Sequence, residues 1–381
     1  MISNKFNLLF ILIIVSLFFT ECKNEKEKKT LLFVGSFTDK KPGKGIYVYD
    51  FDDNSGKTEL KSVVSDYRNT SFLKLSSNGK YLYSVVDSQM KKNGRVAAFK
   101  VDAVDAKIEL LNIRDCGGLN PAHLEIDSSG SYLINSNYSD GSLSMFKINS
   151  DGSLAENSQV MQFKDSSIIK SRQKSSHIHS ASFSPDEKYV FAHDLGADKI
   201  RRFNVLVENS SASLQNQKEI KTKLGSGPRH FSFHPNGNFG YLVNELSGKI
   251  NAYSYTNGNL EFIADYPSYQ QKQEIYRTAD IHISPDGKFL YASNRGPKED
   301  SISIFSINKI NGTLSLVNHQ STGGEHPRNF AIHPSGKFLI VANMFSNAIV
   351  IFRRDEITGK LTKLANKISV RNPSSIQIRT Y

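Results

Sequence analysis

The sequence predicts an all-β fold, a seven-bladed β-propeller closed by pairing of its N- and C-terminal strands. Three observations predict it: a hairpin motif recurring about every 50 residues, a length that holds seven such units, and chain ends that each lack what the other carries. Composition agrees. Of 381 residues 22% are charged and 38% hydrophobic, with 24 Phe, 16 Tyr and 25 Gly. The apolar runs are short, which favours many strands with tight turns over helices.

In chain order, the first 22 residues stand apart. Lys5 precedes the run LLFILIIVSLFF of residues 8–19, after which come Thr20, Glu21, Cys22 and the charged tract KNEKEKK. The run is shorter than the ~20 residues of a membrane span and fits the apolar region of an export signal. Cys22 stands where a lipoprotein signal would end, so its sulfur is the expected lipidation site. Glu21 is larger and more charged than the small residues normal before such a cysteine, and an uncleaved membrane anchor is the alternative. Residues 1–22 are therefore expected to be an export signal, 23–30 a charged tether, and 31–381 one folded domain held to a membrane through Cys22. Cys116 is then alone and forms no internal disulfide.

The repeat follows. SSNGKYLYSV (76–85), DSSGSYLINS (127–136), SPDEKYVFAH (184–193), HPNGNFGYLV (234–243), SPDGKFLYAS (284–293) and HPSGKFLIVA (333–342) align. Their turn positions, Gly79, Gly130, Glu187, Gly237, Gly287 and Gly336, are 51, 57, 50, 50 and 49 residues apart. Each copy is a strand, a Pro-Asp-Gly type of turn and a second strand. Third strands such as SISIFSIN (301–308) and weaker fourth strands such as TLSLVNH (313–319) complete four-stranded blades. Six turns are visible where the length asks for seven. The N-terminal segments 31–38, 45–52 and 58–64 read as second, third and fourth strands without a first, and PSSIQIRT (373–380) reads as a first strand without the others. Their pairing closes the ring and removes two sheet edges. The lack of Trp excludes Trp-Asp repeat propellers as close relatives.

In such a blade the start of strand one and the end of strand two share one rim. Those positions hold Asn120, Pro121, His123 and Asn137; His177, His179, His193 and Asp194; Gly227, Pro228, Arg229, His230, Asn244 and Glu245; Arg277, Asp280, Asn294 and Arg295; and His326, Pro327, Arg328 and Asn343. Six histidines and four arginines thus map to one mouth, as expected of a site for an anionic ligand. His234 and His333 belong to the opposite rim and read as turn caps. His177 and His179 lie at strand period two, so both rings are expected to face the channel. No third ligand stands at a familiar spacing, so no metal and no cofactor is expected.

The formal charge of +11 suits an anionic small molecule or an anionic membrane face. The basic residues are spread along the chain without a nucleic-acid-binding signature, so nucleic acid is not an expected partner. The Gly-Ser-Gly of residues 225–227 lacks the Lys-Ser and helix of a phosphate loop, and no Gly-x-Ser-x-Gly elbow of a serine hydrolase occurs.

GPRHFSFHPNGNFGYLVNEL (227–246), ADIHISPDGKFLYASNR (279–295) and HPRNFAIHPSGKFLIVAN (326–343) resemble the seven-bladed lactonase family, which includes bacterial 6-phosphogluconolactonases and the fungal carboxymuconate lactonizing enzyme. The likeness runs from about residue 31 and is strongest over 176–345. It implies a lactone-ring hydrolase acting on an anionic sugar-type lactone at the channel mouth. The implied catalytic residues are His179 (with His177 as rival), Arg229, Glu245 and Arg295 (with Arg277 as rival), Glu245 or His179 being the base. His123, His177, His230, Asn244, Arg277, Asn294 and Arg328 are the expected substrate contacts. A lactonizing enzyme and a non-catalytic binding propeller of the cell envelope are the other readings. Export would separate the chain from the cytosol, where the lactone of the pentose phosphate route is made.

Overall fold

The computed structural model describes residues 28–208 and 211–381. The expected export signal, Cys22 and most of the tether lie outside the described residues. Among the described residues, 28 strands form seven four-stranded antiparallel sheets and no helix occurs. Blade 1 joins Pro373–Thr380 to Thr30–Ser36, Ile46–Phe51 and Thr58–Val64, with Val34 opposite Ile376 and Thr30 opposite Thr380. The expected closure is therefore present. The first two strands of the others are Leu73–Leu75 and Tyr81–Val86 (blade 2), Pro121–Ile126 and Tyr132–Asn137 (blade 3), Ile178–Phe183 and Tyr189–Asp194 (blade 4), Pro228–Phe233 and Phe239–Asn244 (blade 5), Thr278–Ile283 and Phe289–Asn294 (blade 6), and Pro327–Ile332 and Phe338–Asn343 (blade 7). Each first strand touches those of the neighbouring blades, so the seven surround the channel.

The core is divided among the gaps between blades. Seven apolar clusters each draw on two adjacent sheets, as where Leu32 and Phe51 of blade 1 pack with Phe338 and Ile351 of blade 7. Both faces of a blade are covered, so second strands such as FLIVAN (338–343) are buried at every residue. Fourth strands reach solvent and alternate, as in LAENSQVMQ (154–162). At the hairpin turns the expected glycines adopt positive φ, and Glu187 does so at φ 55° without being glycine. Its carboxylate accepts the Ser128 amide at 2.6 Å and hydroxyl at 2.8 Å, a cross-blade tie that offsets the strained backbone. His234 and His333 hold turns together on that rim, His234 against Gly287 O at 2.8 Å and His333 against Asp53 at 3.0 Å.

One irregularity recurs at the other rim. Where the first strand leaves that rim, its register against the second slips by a residue, at Ala122, His179, Arg229, Arg328 and Ser374, and across Ala279 and Asp280 in blade 6. A bulged residue drops out of the ladder and its side chain is re-aimed.

Candidate active site

The bulges and the residues just past each second strand build one pocket of about 170 Å³. Its walls hold His179 of blade 4, Glu245 at the end of blade 5's second strand, Arg295 at the corresponding place in blade 6, and Arg328 of blade 7. Glu245 is only 6% exposed. Its Oε2 accepts from Arg229 Nε at 3.0 Å and from Arg295 Nη2 at 3.0 Å, while Oε1 accepts from Arg172 Nη2 at 2.6 Å. Arg229 is anchored beyond Glu245 by Ala279 O, and Arg295 by Arg277 O at 2.9 Å. Arg328 forms no ion pair among the described residues and lies over the Phe37 ring, 5.1 Å from its centroid. The opposite wall, from Ser88, Gln89, Asn120 and Ala122, carries no charge. The pocket is therefore cationic along one side only.

Burial would raise the pKa of Glu245, but Arg295, Arg229 and Arg172 outweigh it and hold the carboxyl well below the usual carboxylate range. Glu245 is a fixed anion. The opposite holds for His179. Burial, then Arg229, His230, Arg328 and Arg295, push its pKa well below the usual histidine value, so the imidazole is neutral. Its ring lines the pocket while Nδ1 is buried without a hydrogen-bond partner.

The four residues implied as catalytic, His179, Arg229, Glu245 and Arg295, are brought together, and Arg328 joins them. The rivals are not. His177 sits behind Tyr138, its Nδ1 2.8 Å from Tyr138 O and its ring stacked on the tyrosine at 4.6 Å. The bulge at His179 breaks the period-two alternation that was expected to aim both rings into the channel. Arg277 is exposed and lines a neighbouring pocket with His326 and Phe345. His123 and His230 follow the bulged position and face deeper, into the far end of the channel. Asn244 and Asn294, expected to contact substrate, are instead wholly buried in their own blades. Asn244 Nδ2 donates to Asn251 Oδ1 at 2.6 Å, and Asn294 binds Ser268 through both its side-chain atoms, at 2.6 and 2.8 Å. His193 is likewise internal, hydrogen-bonded to Ser180 at 2.8 Å and stacked on Phe231.

Two participants escaped the sequence reading. Tyr138 stands one residue past the second strand of blade 3, the position that Glu245 and Arg295 hold in theirs, and its hydroxyl accepts from Arg172 at 3.3 Å. Arg172 lies between blades 3 and 4, in the insertion that stretches one repeat interval to 57 residues. That irregular interval was its signal.

Comparison with known proteins gives a consistent picture. Residues 31–378 match the family model described as lactonase, 7-bladed beta-propeller. A 6-phosphogluconolactonase of Formosa agariphila is 58% identical over 351 residues, covering 92% of this chain and 99% of the relative. One of Bacillus subtilis is 31% identical over 357 residues, covering 92% and 98%. Among solved structures, a putative 6-phosphogluconolactonase from Bacteroides fragilis is similar with a TM-score of 0.86 at 38% identity, over 92% of this chain and 98% of that one. The periplasmic gluconolactonase of Pseudomonas aeruginosa is similar with a TM-score of 0.86 at 31% identity, over 92% and 99%.

Proposed function

The chain belongs to the seven-bladed β-propeller lactonase family, and from that membership we propose how its arginine-walled mouth performs lactone hydrolysis, the activity of the 6-phosphogluconolactonase type. The observation that carries the residue roles is a neutral His179 beside an arginine that no carboxylate among the described residues engages, above a carboxylate that three arginines saturate.

His179 is the base. It removes one proton from water as the water oxygen bonds to the lactone carbonyl carbon, and the carbonyl π electrons move onto oxygen. Arg295, whose Nη1 meets only His326 at 3.3 Å, faces that developing oxyanion. Collapse of the tetrahedral intermediate breaks the ring C–O bond, and the leaving oxygen takes the proton back from His179. Arg328 grips the anionic group of the substrate, a phosphate or carboxylate. Glu245 has both carboxylate oxygens engaged by three guanidiniums and offers no free oxygen to the attacking water, whereas the ring of His179 lines the pocket without a partner on Nδ1. Glu245 is a positioning residue that holds Arg172, Arg229 and Arg295 in register and offsets their repulsion. An anionic sugar-type lactone fits both the cationic wall and the names of the relatives. Assay of the protein against sugar, phosphosugar and acyl-homoserine lactones by proton release tests the reading. Turnover confined to anionic sugar lactones is expected, and no turnover on any of them would overturn it.

For cellular placement, residues 1–22 are read as an export signal, 23–30 as the tether and Cys22 as the lipidated anchor. The apolar run 8–19 supports this, as does a relative described as periplasmic. Cys22→Ser is expected to release the protein from the membrane fraction and abolish labelling by a fatty-acid probe. Unchanged membrane retention would favour an uncleaved anchor.

A further inference from the structure

Behind His179 the channel continues into a second, larger funnel of about 420 Å³ that opens on the opposite rim. His123, His230, Asp280 and His282 line it. The His230 ring lies 5.1 Å from that of His179 and 5.3 Å from that of His123, measured between centroids. His230 Nδ1 is 2.7 Å from Asp280 Oδ1, while His230 Nε2 is buried without a partner, like His179 Nδ1. Asp280 Oδ2 in turn lies 3.0 Å from Nε2 of His282, whose side chain is 41% exposed, and accepts from Asn329 Nδ2. Among the described residues no three His, Cys, Asp or Glu side chains are grouped as metal ligands, so these imidazoles need another account.

Lactone hydrolysis supplies one. The product is a carboxylic acid, and at neutral pH each turnover sheds one net proton. At the near mouth that proton meets Arg172, Arg295 and Arg328, with Arg229 beneath, against the single carboxylate of Glu245. Inward lies Asp280, a buried carboxylate that its histidine neighbours keep ionised despite burial. The field along the axis runs from cationic mouth to anionic interior, and it favours proton movement away from the mouth.

We propose that His230, oriented by Asp280, is a proton relay behind His179, carrying the product proton through the channel to the far funnel. The proposal rests on the lactonase reading of the near mouth. The product carboxyl loses its proton to Nε2 of His179, and His179 gives its Nδ1 proton to Nε2 of His230 when a small rotation of the adjacent rings brings these two unpartnered atoms within hydrogen-bond distance. Asp280 stabilises the resulting imidazolium through the Nδ1–H bond. The Nδ1 proton of His230 then passes to Asp280, and Asp280 gives up a proton to Nε2 of the partly exposed His282 and so to water in the far funnel, after which the neutral rings of His179 and His230 turn back to their starting tautomers. Around His230 stand Arg229 on its own strand, His123 of blade 3, His179 of blade 4, and Asp280 and His282 of blade 6. Of these only Asp280 favours the transient positive charge.

Asp280→Asn and His230→Gln test the relay. Turnover and KM are measured against pH in the intact protein, with and without added imidazole, alongside thermal melts. In either variant kcat is expected to fall about tenfold or more with KM within about threefold of normal. Added imidazole is expected to restore part of the rate in proportion to its concentration, which a merely structural defect would not show. If one variant fails to fold, the other reads the same quantities. An active parent protein with both variants unchanged in kcat and indifferent to imidazole overturns the relay alone. A parent protein that opens no lactone overturns the lactonase reading and the relay with it.

Discussion

A carboxylate that accepts from three guanidiniums constrains what substitution at Glu245 does. Gln keeps the shape and loses the charge, leaving Arg172, Arg229 and Arg295 without their shared anion. Glu245→Gln is expected to lower kcat about 100-fold or more, through misplacement of Arg295 and its neighbours. It also leaves buried cations uncompensated, so the melting temperature falls, with a cost of about 3 kcal/mol or more. The pH dependence has a definite sign. Glu245's folded pKa lies below its unfolded one, so its stabilisation is complete above the ordinary carboxylate range and is lost as pH falls through the depressed value. The stability gap between parent and variant is therefore expected to be constant above the ordinary carboxylate range and to narrow progressively as pH falls from there towards the depressed value, and urea melts across pH measure it. Arg229→Lys keeps the charge but not the fork that spans Glu245 and Ala279 O, so weaker substrate binding is expected at unchanged net charge.

Blade by blade, the repeat separates two kinds of residue. Asn137, Asn244, Asn294 and Asn343 end four second strands, and each is wholly buried. What recurs in these four blades serves local packing: Asn137 and Asn244 bond the third strand through Ser142 and Asn251, and Asn294 and Asn343 bond the preceding loop through Ser268 and Thr322 O. Their neighbours Tyr138, Glu245, Arg295 and Met344 differ from blade to blade, and three of the four line the pocket. Strand order alone placed both columns at one rim and could not tell them apart, because the distinction is one of side-chain direction. The bulge was illegible for a related reason. It is a slip between two strands, and a strand pattern read along one chain does not report it. Blades, hairpin turns and ring closure were legible because they rest on periodic burial. Arg172 was not, because it stands in the loop between two blades, where no strand periodicity reports which way a side chain points. Asn294→Ala provides the check at this scale. Loss of its bonds to Ser268 is expected to cost about 1–3 kcal/mol in stability with kcat and KM nearly normal below the melting transition. A rise in KM at unchanged stability would return Asn294 to the substrate.

For the whole molecule, the strand Pro373–Thr380 is both the first strand of blade 1 and the link that makes seven sheets a ring. It also binds its neighbours, through Ser375 Oγ to the Leu73 amide at 3.0 Å and from the Ile376 amide to Asn329 Oδ1 at 2.7 Å. Removing residues 373–381 is therefore expected to destabilise two interfaces at once and to exceed the ~0.5–3 kcal/mol of ordinary single-site changes. Asn329 also holds Asp280, so the truncation should reach the channel interior. A truncated chain that melts within a degree or two of the parent would show that the ring is held without this clasp. The one-sided charge of the mouth has its own consequence. His179, Arg295 and Arg328 project from three different blades, and the wall of Ser88, Gln89, Asn120 and Ala122 offers no substitute anchor. A lactone seated by its anionic group and its carbonyl oxygen then presents only one face of the carbonyl carbon to His179. The ring is then expected to read handedness, opening one of two mirror-image lactones, and rates on the separate enantiomers measure it.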